Sequence, residues 1–92
     1  MTEVSQTVTI VNDRGLHARA SAKFVTFVAR LPEGLSVNVE KDGQSVTGSS
    51  IMGLMMLGAA KGSDITIKVA GAESGKALEK LVGLVVDGFG ED

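Results

Sequence analysis

The sequence contains no cysteine, tryptophan or tyrosine, and a single proline and a single histidine. Without thiols there can be no disulfide, and zinc sites built on cysteine and thiol nucleophiles are excluded as well. The absence of cysteine suits a reducing compartment. Aromatic residues make up 3% of the chain and the net charge is −2. Both speak against nucleic-acid binding, which draws on basic patches and stacking rings. The longest apolar run, Ile51 to Ala60, is broken by glycines. It is about half of the ~20 residues that a bilayer requires. The opening Met1 to Gln6 lacks the basic and apolar regions of a signal peptide. A soluble cytoplasmic protein without membrane insertion is therefore expected.

What remains is a chain of 92 residues, 43% of them hydrophobic. That fits one compact domain over residues 1–92, and a chain of this size buries ~60–65% of its unfolded surface. Thr7 to Val11 alternates, with Val8 and Ile10 on one face, as a half-buried strand does. Asn12-Asp13-Arg14-Gly15 reads as a turn. Phe24, Phe27, Val28 and Leu31 then mark one helix face, with Ala20 a turn earlier and Pro32 as the stop. Leu35 to Glu40 alternates again, and Asp42-Gly43 predicts a tight hairpin into Ser45-Val46-Thr47. A second, short helix starts near Ser49 or Ser50, since either hydroxyl can cap it, and ends at Gly58. Asp64 to Val69 is the fourth strand. Ser74 can cap a third helix, with Leu78, Leu81, Val82 and Val85 as its buried stripe and Gly88 as its stop. Glu91-Asp92 reads as a solvated tail. The order β-α-β-β-α-β-α, with short Val- and Ile-rich strands, predicts an α+β fold: an open-faced two-layer sandwich with helices on one face of an antiparallel sheet.

His17 falls between the turn glycine Gly15 and the first helix. A helix start gathers unpaired amides and the positive end of the dipole, and attracts phosphate. Arg14 and Arg19 flank it. A histidine there fits either a cap or surface residue, or a phosphoryl acceptor. A metal site would need carboxylates alone to complete the ligand set, and none is expected. Gly48-Ser49-Ser50-Ile51-Met52-Gly53-Leu54-Met55-Met56-Leu57 also has two readings. Ser49 or Ser50 caps a helix whose apolar residues are core. Alternatively, Ser50 is a phosphorylation site, and some of Met52, Leu54, Met55 and Met56 stay exposed as an adaptable docking patch. No paired carboxylates and no nucleotide-binding loop are visible, so no cofactor is expected.

Taken together, Gly15-Leu16-His17-Ala18-Arg19 and Ser50-Ile51-Met52-Gly53-Leu54-Met55 resemble the two signatures of the HPr/NPr family. These are the histidine-containing phosphocarriers of the bacterial phosphoenolpyruvate-dependent phosphotransferase system, and the likeness covers essentially the whole chain. The resemblance implies a four-stranded antiparallel sheet in the order 1-4-2-3 under three helices. It implies that His17 carries the phosphoryl group on Nδ1, that Arg19 assists transfer, and that Ser50 is a regulatory serine. Its partners would be enzyme I as donor, EIIA-type proteins as acceptors, and the ATP-dependent HPr kinase/phosphorylase, with the chain itself a monomer. Such a carrier has no turnover of its own and so is not an enzyme. Ala20 stands where the family has proline, and Ser49 where a lysine often precedes the regulatory serine. The ending Asp87 to Asp92 is similar to the nitrogen-type branch, whereas the Ser50 motif is similar to the sugar-type branch. Against the carrier stand two other classes: a small-molecule-binding α+β domain with His17 as a ligand group, and an interaction module built on the Met-rich helix.

Overall fold

The computed structural model describes residues 3–91. Its elements are β1 (Glu3–Thr9), α1 (Ala18–Ala29), β2 (Ser36–Lys41), β3 (Gln44–Thr47), α2 (Ile51–Met56), β4 (Asp64–Ala70) and α3 (Ser74–Val86). A 3-10 turn follows over Gly88–Gly90. The strands form one antiparallel sheet in the order β1-β4-β2-β3. This is the expected α+β sandwich, with one face of the sheet covered and the other open.

The alternation along each strand sorts the two faces. Val8 of β1, Val37 and Val39 of β2, and Ile65, Ile67 and Val69 of β4 are buried beneath the helices. Phe24 of α1, Leu54 of α2, and Leu81 and Val85 of α3 meet them from above. On the open face the cross-strand neighbours are polar. The Thr7 and Thr66 hydroxyls lie 2.8 Å apart, Thr9 donates to Asp64 at 2.6 Å, and Lys68 pairs with Glu40 at 2.7 Å. Such pairs fix register without burying charge. The β2–β3 hairpin turns on Asp42 (φ 50°) and Gly43 (φ 83°), the left-handed pair that a two-residue turn requires.

Several boundaries differ from expectation. β1 begins at Glu3 rather than Thr7, because Glu3 to Gln6 pair with Ala70 to Ile67 of β4, and pairing rather than local alternation extends the strand. Ile10 lies just beyond the strand yet is buried, tied to Gly62 and Ser63 by backbone hydrogen bonds of 2.8 Å. Phe27 stands at the edge of the α1 face and is exposed, in a shallow groove with Leu84 and Phe89. Ser74 does not cap α3. Glu73 occupies that position in a left-handed conformation (φ 57°), and Ser74 is the first helical residue, buried. Val82 is half-buried, packed at the margin of the core.

The largest departure is at the end of the chain. After α3 the backbone reverses through Gly88 (φ 66°), Phe89 (φ 57°) and Gly90 (φ 72°). This folds the Phe89 ring fully into the core. Glu91 is consequently carried back over the molecule and is not a solvated tail; Asp92 lies outside the described residues. Phe89→Ala should therefore destabilise the protein by about 3 kcal/mol, the low end for a buried phenylalanine because a terminal segment can relax. Urea denaturation should show it as a lower midpoint at unchanged slope. A loss below ~0.5 kcal/mol, typical of a surface change, would mean that the tail is not docked in solution.

Candidate functional site

His17 is the N-cap of α1, in extended conformation (φ −73°, ψ −179°). The first helical amide to find a carbonyl is that of Ser21, which donates to the His17 carbonyl at 2.9 Å. The amides of Ala18, Arg19 and Ala20 precede the intrahelical ladder and point out of the end of the helix. One of them, the Arg19 amide, donates to His17 Nδ1 at 3.3 Å. Nδ1 is thus the acceptor nitrogen, and in the neutral ring the proton sits on Nε2. That second nitrogen lies 2.6 Å from Glu91 Oε2. The imidazole is 21% exposed, positioned at both nitrogens but reachable from solvent.

The loop before His17 is fixed by close backbone contact. Gly15 adopts φ 62° and lies against Ala59, and the Leu16 amide donates to the Ala59 carbonyl at 2.9 Å. The Leu16 side chain is buried in the core. Asn12, also buried, donates through Nδ2 to the Gly15 carbonyl at 2.9 Å and to Glu91 Oε1 at 3.0 Å. Its Oδ1 finds no partner among the described residues. Rotating the amide would press that oxygen against two acceptors, so the orientation is determined. The Glu91 carboxyl is held below the usual carboxylate range, chiefly by the Asn12 hydrogen bond, with His17 and Arg19 adding to it against the opposing effect of desolvation. A polar depression lined by Asp13, Arg14, Arg19, Lys23, Gly90 and Glu91 opens alongside.

The Ser50 segment forms the neighbouring surface. Ser50, not Ser49, caps α2: its Oγ accepts from the Gly53 amide at 2.9 Å. The Ser49 hydroxyl lies 2.9 Å from that of Thr47 instead. Of the expected docking side chains, Met52, Met55 and Met56 are exposed, and Ile51 joins them. Leu54 does not. It is fully buried, because a six-residue helix lying on the sheet turns one position per turn into the core, and Leu54 is that position. The far end of α2 leads directly to Ala59, the acceptor for Leu16, so the methionine surface adjoins the His17 loop.

The structure places the Arg19 amide against His17 Nδ1 and the Arg19 side chain on the rim of the depression beside Glu91. It adds Glu91 and Asn12, which the sequence reading passed over. The signal for Glu91 was the Gly-Phe-Gly run before it, an apolar residue between two glycines just past a helix end. No signal marked Asn12 beyond its place in a turn. Among the described residues no cluster of His, Asp and Glu could hold a metal ion. No helix among them is long and apolar enough to cross a membrane.

Comparison with known proteins identifies the family. Residues 4–87 match the family model described as the PTS HPr component phosphorylation site. The chain is 43% identical over 88 residues to a phosphocarrier protein HPr of Neisseria meningitidis, covering 96% of this chain and 97% of that protein. Its fold matches the crystal structure of an HPr from Bacillus anthracis with a TM-score of 0.85 and 38% identity, over 92% of this chain and 99% of that one. It also matches Crh of Bacillus subtilis, described as a dimer with a swapped domain, with a TM-score of 0.73 and 39% identity over 92% and 95% of the two chains. On family model, identity and fold alike, the chain belongs to the HPr family of phosphocarrier proteins of the phosphotransferase system.

Proposed function

We propose that His17 is the residue that carries the phosphoryl group, bound through Nδ1. Enzyme I would donate it and EIIA-type proteins would accept it, for sugar uptake or a nitrogen-type regulatory relay. The observation that supports this most directly is the position of Nδ1 at the start of α1, facing the Arg19 amide. A phosphoryl group on that nitrogen meets unpaired amides and the positive end of a 12-residue helix. Arg19 is exposed, and its side chain lines the depression beside Glu91. The protein acts as a monomer in the cytoplasm and needs no cofactor, because both the donor and the acceptor site belong to its partners.

Ser50 is the regulatory position in this reading. It caps the helix that carries Ile51, Met52, Met55 and Met56. A phosphate there, placed by an HPr kinase/phosphorylase, would add about −1.5 to −2 of charge beside an apolar docking surface. Partners would then lose affinity, while the fold is favoured by ~0.3–1 kcal/mol from an anion at a helix start.

Three measurements test the reading. His17→Ala should fold and take no phosphoryl group from phosphoenolpyruvate and enzyme I, whereas the wild type gains one acid-labile phosphate by intact mass at neutral pH. The same labile phosphate on the variant would reject His17. Arg19→Ala should still be phosphorylated but transfer roughly ten- to a hundredfold more slowly, the worth of a charge-assisted contact of ~1.5–3 kcal/mol. Unchanged rapid-quench kinetics at low salt would reduce Arg19 to a surface cation. Ser50→Asp should raise the apparent KM for enzyme I with an equal or slightly higher melting temperature, and Ser49→Asp should do less. Equal KM values for Ser50→Asp and wild type would remove Ser50 from the docking surface.

A further inference from the structure

Among the described residues Glu91 is the one carboxylate that touches the candidate acceptor ring, and it lies 74 residues away in sequence. We propose that Glu91 is a positioning residue for phosphoryl transfer, a carboxylate held by Asn12 that fixes the proton of His17 on Nε2 and leaves the Nδ1 lone pair toward the start of α1. The proposal rests on the reading of His17 as phosphoryl acceptor.

The geometry behind it is a chain of three side chains. Asn12 is buried, and both hydrogens of its amide are committed, one to the Gly15 carbonyl and one to Glu91 Oε1 at 3.0 Å. That leaves Glu91 Oε2 to face His17 Nε2 at 2.6 Å. The backbone beneath Glu91 is anchored twice, by the buried Phe89 ring and by Lys23, whose Nζ donates to the Phe89 carbonyl at 2.6 Å. The Glu91 side chain is 15% exposed, so it is held in place rather than sampling solvent. An ionised carboxylate only accepts hydrogen bonds, so Nε2 must be the donor. The Arg19 amide enforces the same assignment from the other side of the ring. The nitrogen left with a lone pair is the one at the helix start.

The consequence appears during transfer. The Nδ1 lone pair forms the new bond to phosphorus as the bond from phosphorus to the phosphorylated donor protein breaks, and that bonding pair stays with the donor. No proton leaves the ring in this step. With phosphorus on Nδ1 and hydrogen on Nε2, the ring carries a positive charge, and Glu91 faces it. The Nε2–carboxylate contact is therefore stronger in the product and in the transition state than in the neutral ring, which is the condition for lowering a barrier rather than merely tightening a complex. Arg14, Arg19 and Lys23 line the depression that shares Glu91, and Asp13 is the other carboxylate on that rim. Asp13 is bound to Lys61 at 3.0 Å, which leaves Glu91 as the carboxylate paired with His17.

Glutamine at position 91 separates the roles. A glutamine side chain has one acceptor oxygen where Glu91 uses two, so it can satisfy Asn12 or His17 but not both. Glu91→Gln should lower kcat for phosphorylation by phospho-enzyme I about tenfold, the equivalent of ~1.4 kcal/mol, with KM unchanged. Glu91→Asp, which keeps the charge one methylene further back, should recover part of that loss. Independently of any phosphoryl transfer, the Nε2 proton of His17 should appear in the NMR spectrum of the unphosphorylated wild type as a slowly exchanging, strongly downfield signal, and should move upfield in Glu91→Gln. An unchanged kcat in Glu91→Gln, a rise in KM alone, or the absence of the downfield proton in the wild type would each overturn the role of Glu91. Phosphorylation of His17→Ala would instead overturn the acceptor assignment on which the role rests, and the proton signal would still report whether the contact forms.

Discussion

A Cβ on Gly15 would stand 2.2 Å from the Ala59 carbonyl oxygen and 2.8 Å from the Ala60 Cα, and the residue adopts φ 62°. Both facts require glycine: one by space, the other by backbone conformation. The contact lets the Leu16 amide reach the Ala59 carbonyl, which joins the loop after β1 to the loop before β4. From that joint the rest of the site follows. Leu16 enters the core, His17 falls at the first position of α1, and α2 ends beside it. A bulkier residue would push these two loops apart and move the imidazole away from the amides that it caps.

A second device sets the ring orientation, and it is electrostatic. At the start of α1 the ring turns Nδ1 toward the helix amides and Nε2 toward Glu91. The Arg19 amide donates to Nδ1, and the Glu91 carboxylate accepts a hydrogen bond from Nε2–H on the other side of the ring. The carboxylate stays ionised because Asn12 donates to it, as the lowering of its proton affinity shows. The helix amide and the carboxylate thus act at different nitrogens of the ring. Among the described residues Oδ1 of Asn12 has no partner, the penalty of committing both amide hydrogens to other groups.

Much of this was legible in the sequence, for reasons that differ by element. β4 and β2 are buried on one face and paired on both edges, so alternation alone places Ile65, Ile67, Val69, Val37 and Val39 inward. The hairpin follows from the conformational demand on Asp42-Gly43. β1 is an edge strand. Its first half is held by pairing with β4 and carries few apolar residues, so no local pattern marks Glu3 to Gln6. Leu54 was grouped with its methionine neighbours because composition does not say which side of a short helix faces the sheet. Glu91 was least legible. Its role depends on a chain reversal and on partners at positions 12 and 17, a separation over which side-chain periodicity carries no information.

The depression beside His17 is open and lined mostly by polar and charged side chains, and the proposed chemistry asks for no enclosed pocket. In the proposed role the same nitrogen is presented to a donor and then to an acceptor, which calls for a surface that two different proteins can cover. Ile51, Met52, Met55 and Met56 are exposed, and in the proposed role they are the flexible apolar area that such a surface would use. Orientation cannot come from an enclosing pocket under these conditions. It has to come from groups behind and beside the ring: a helix start, a buried amide and the end of the chain folded back by Phe89. A chain without cysteine meets that requirement by folding Glu91 back over the site as part of the support.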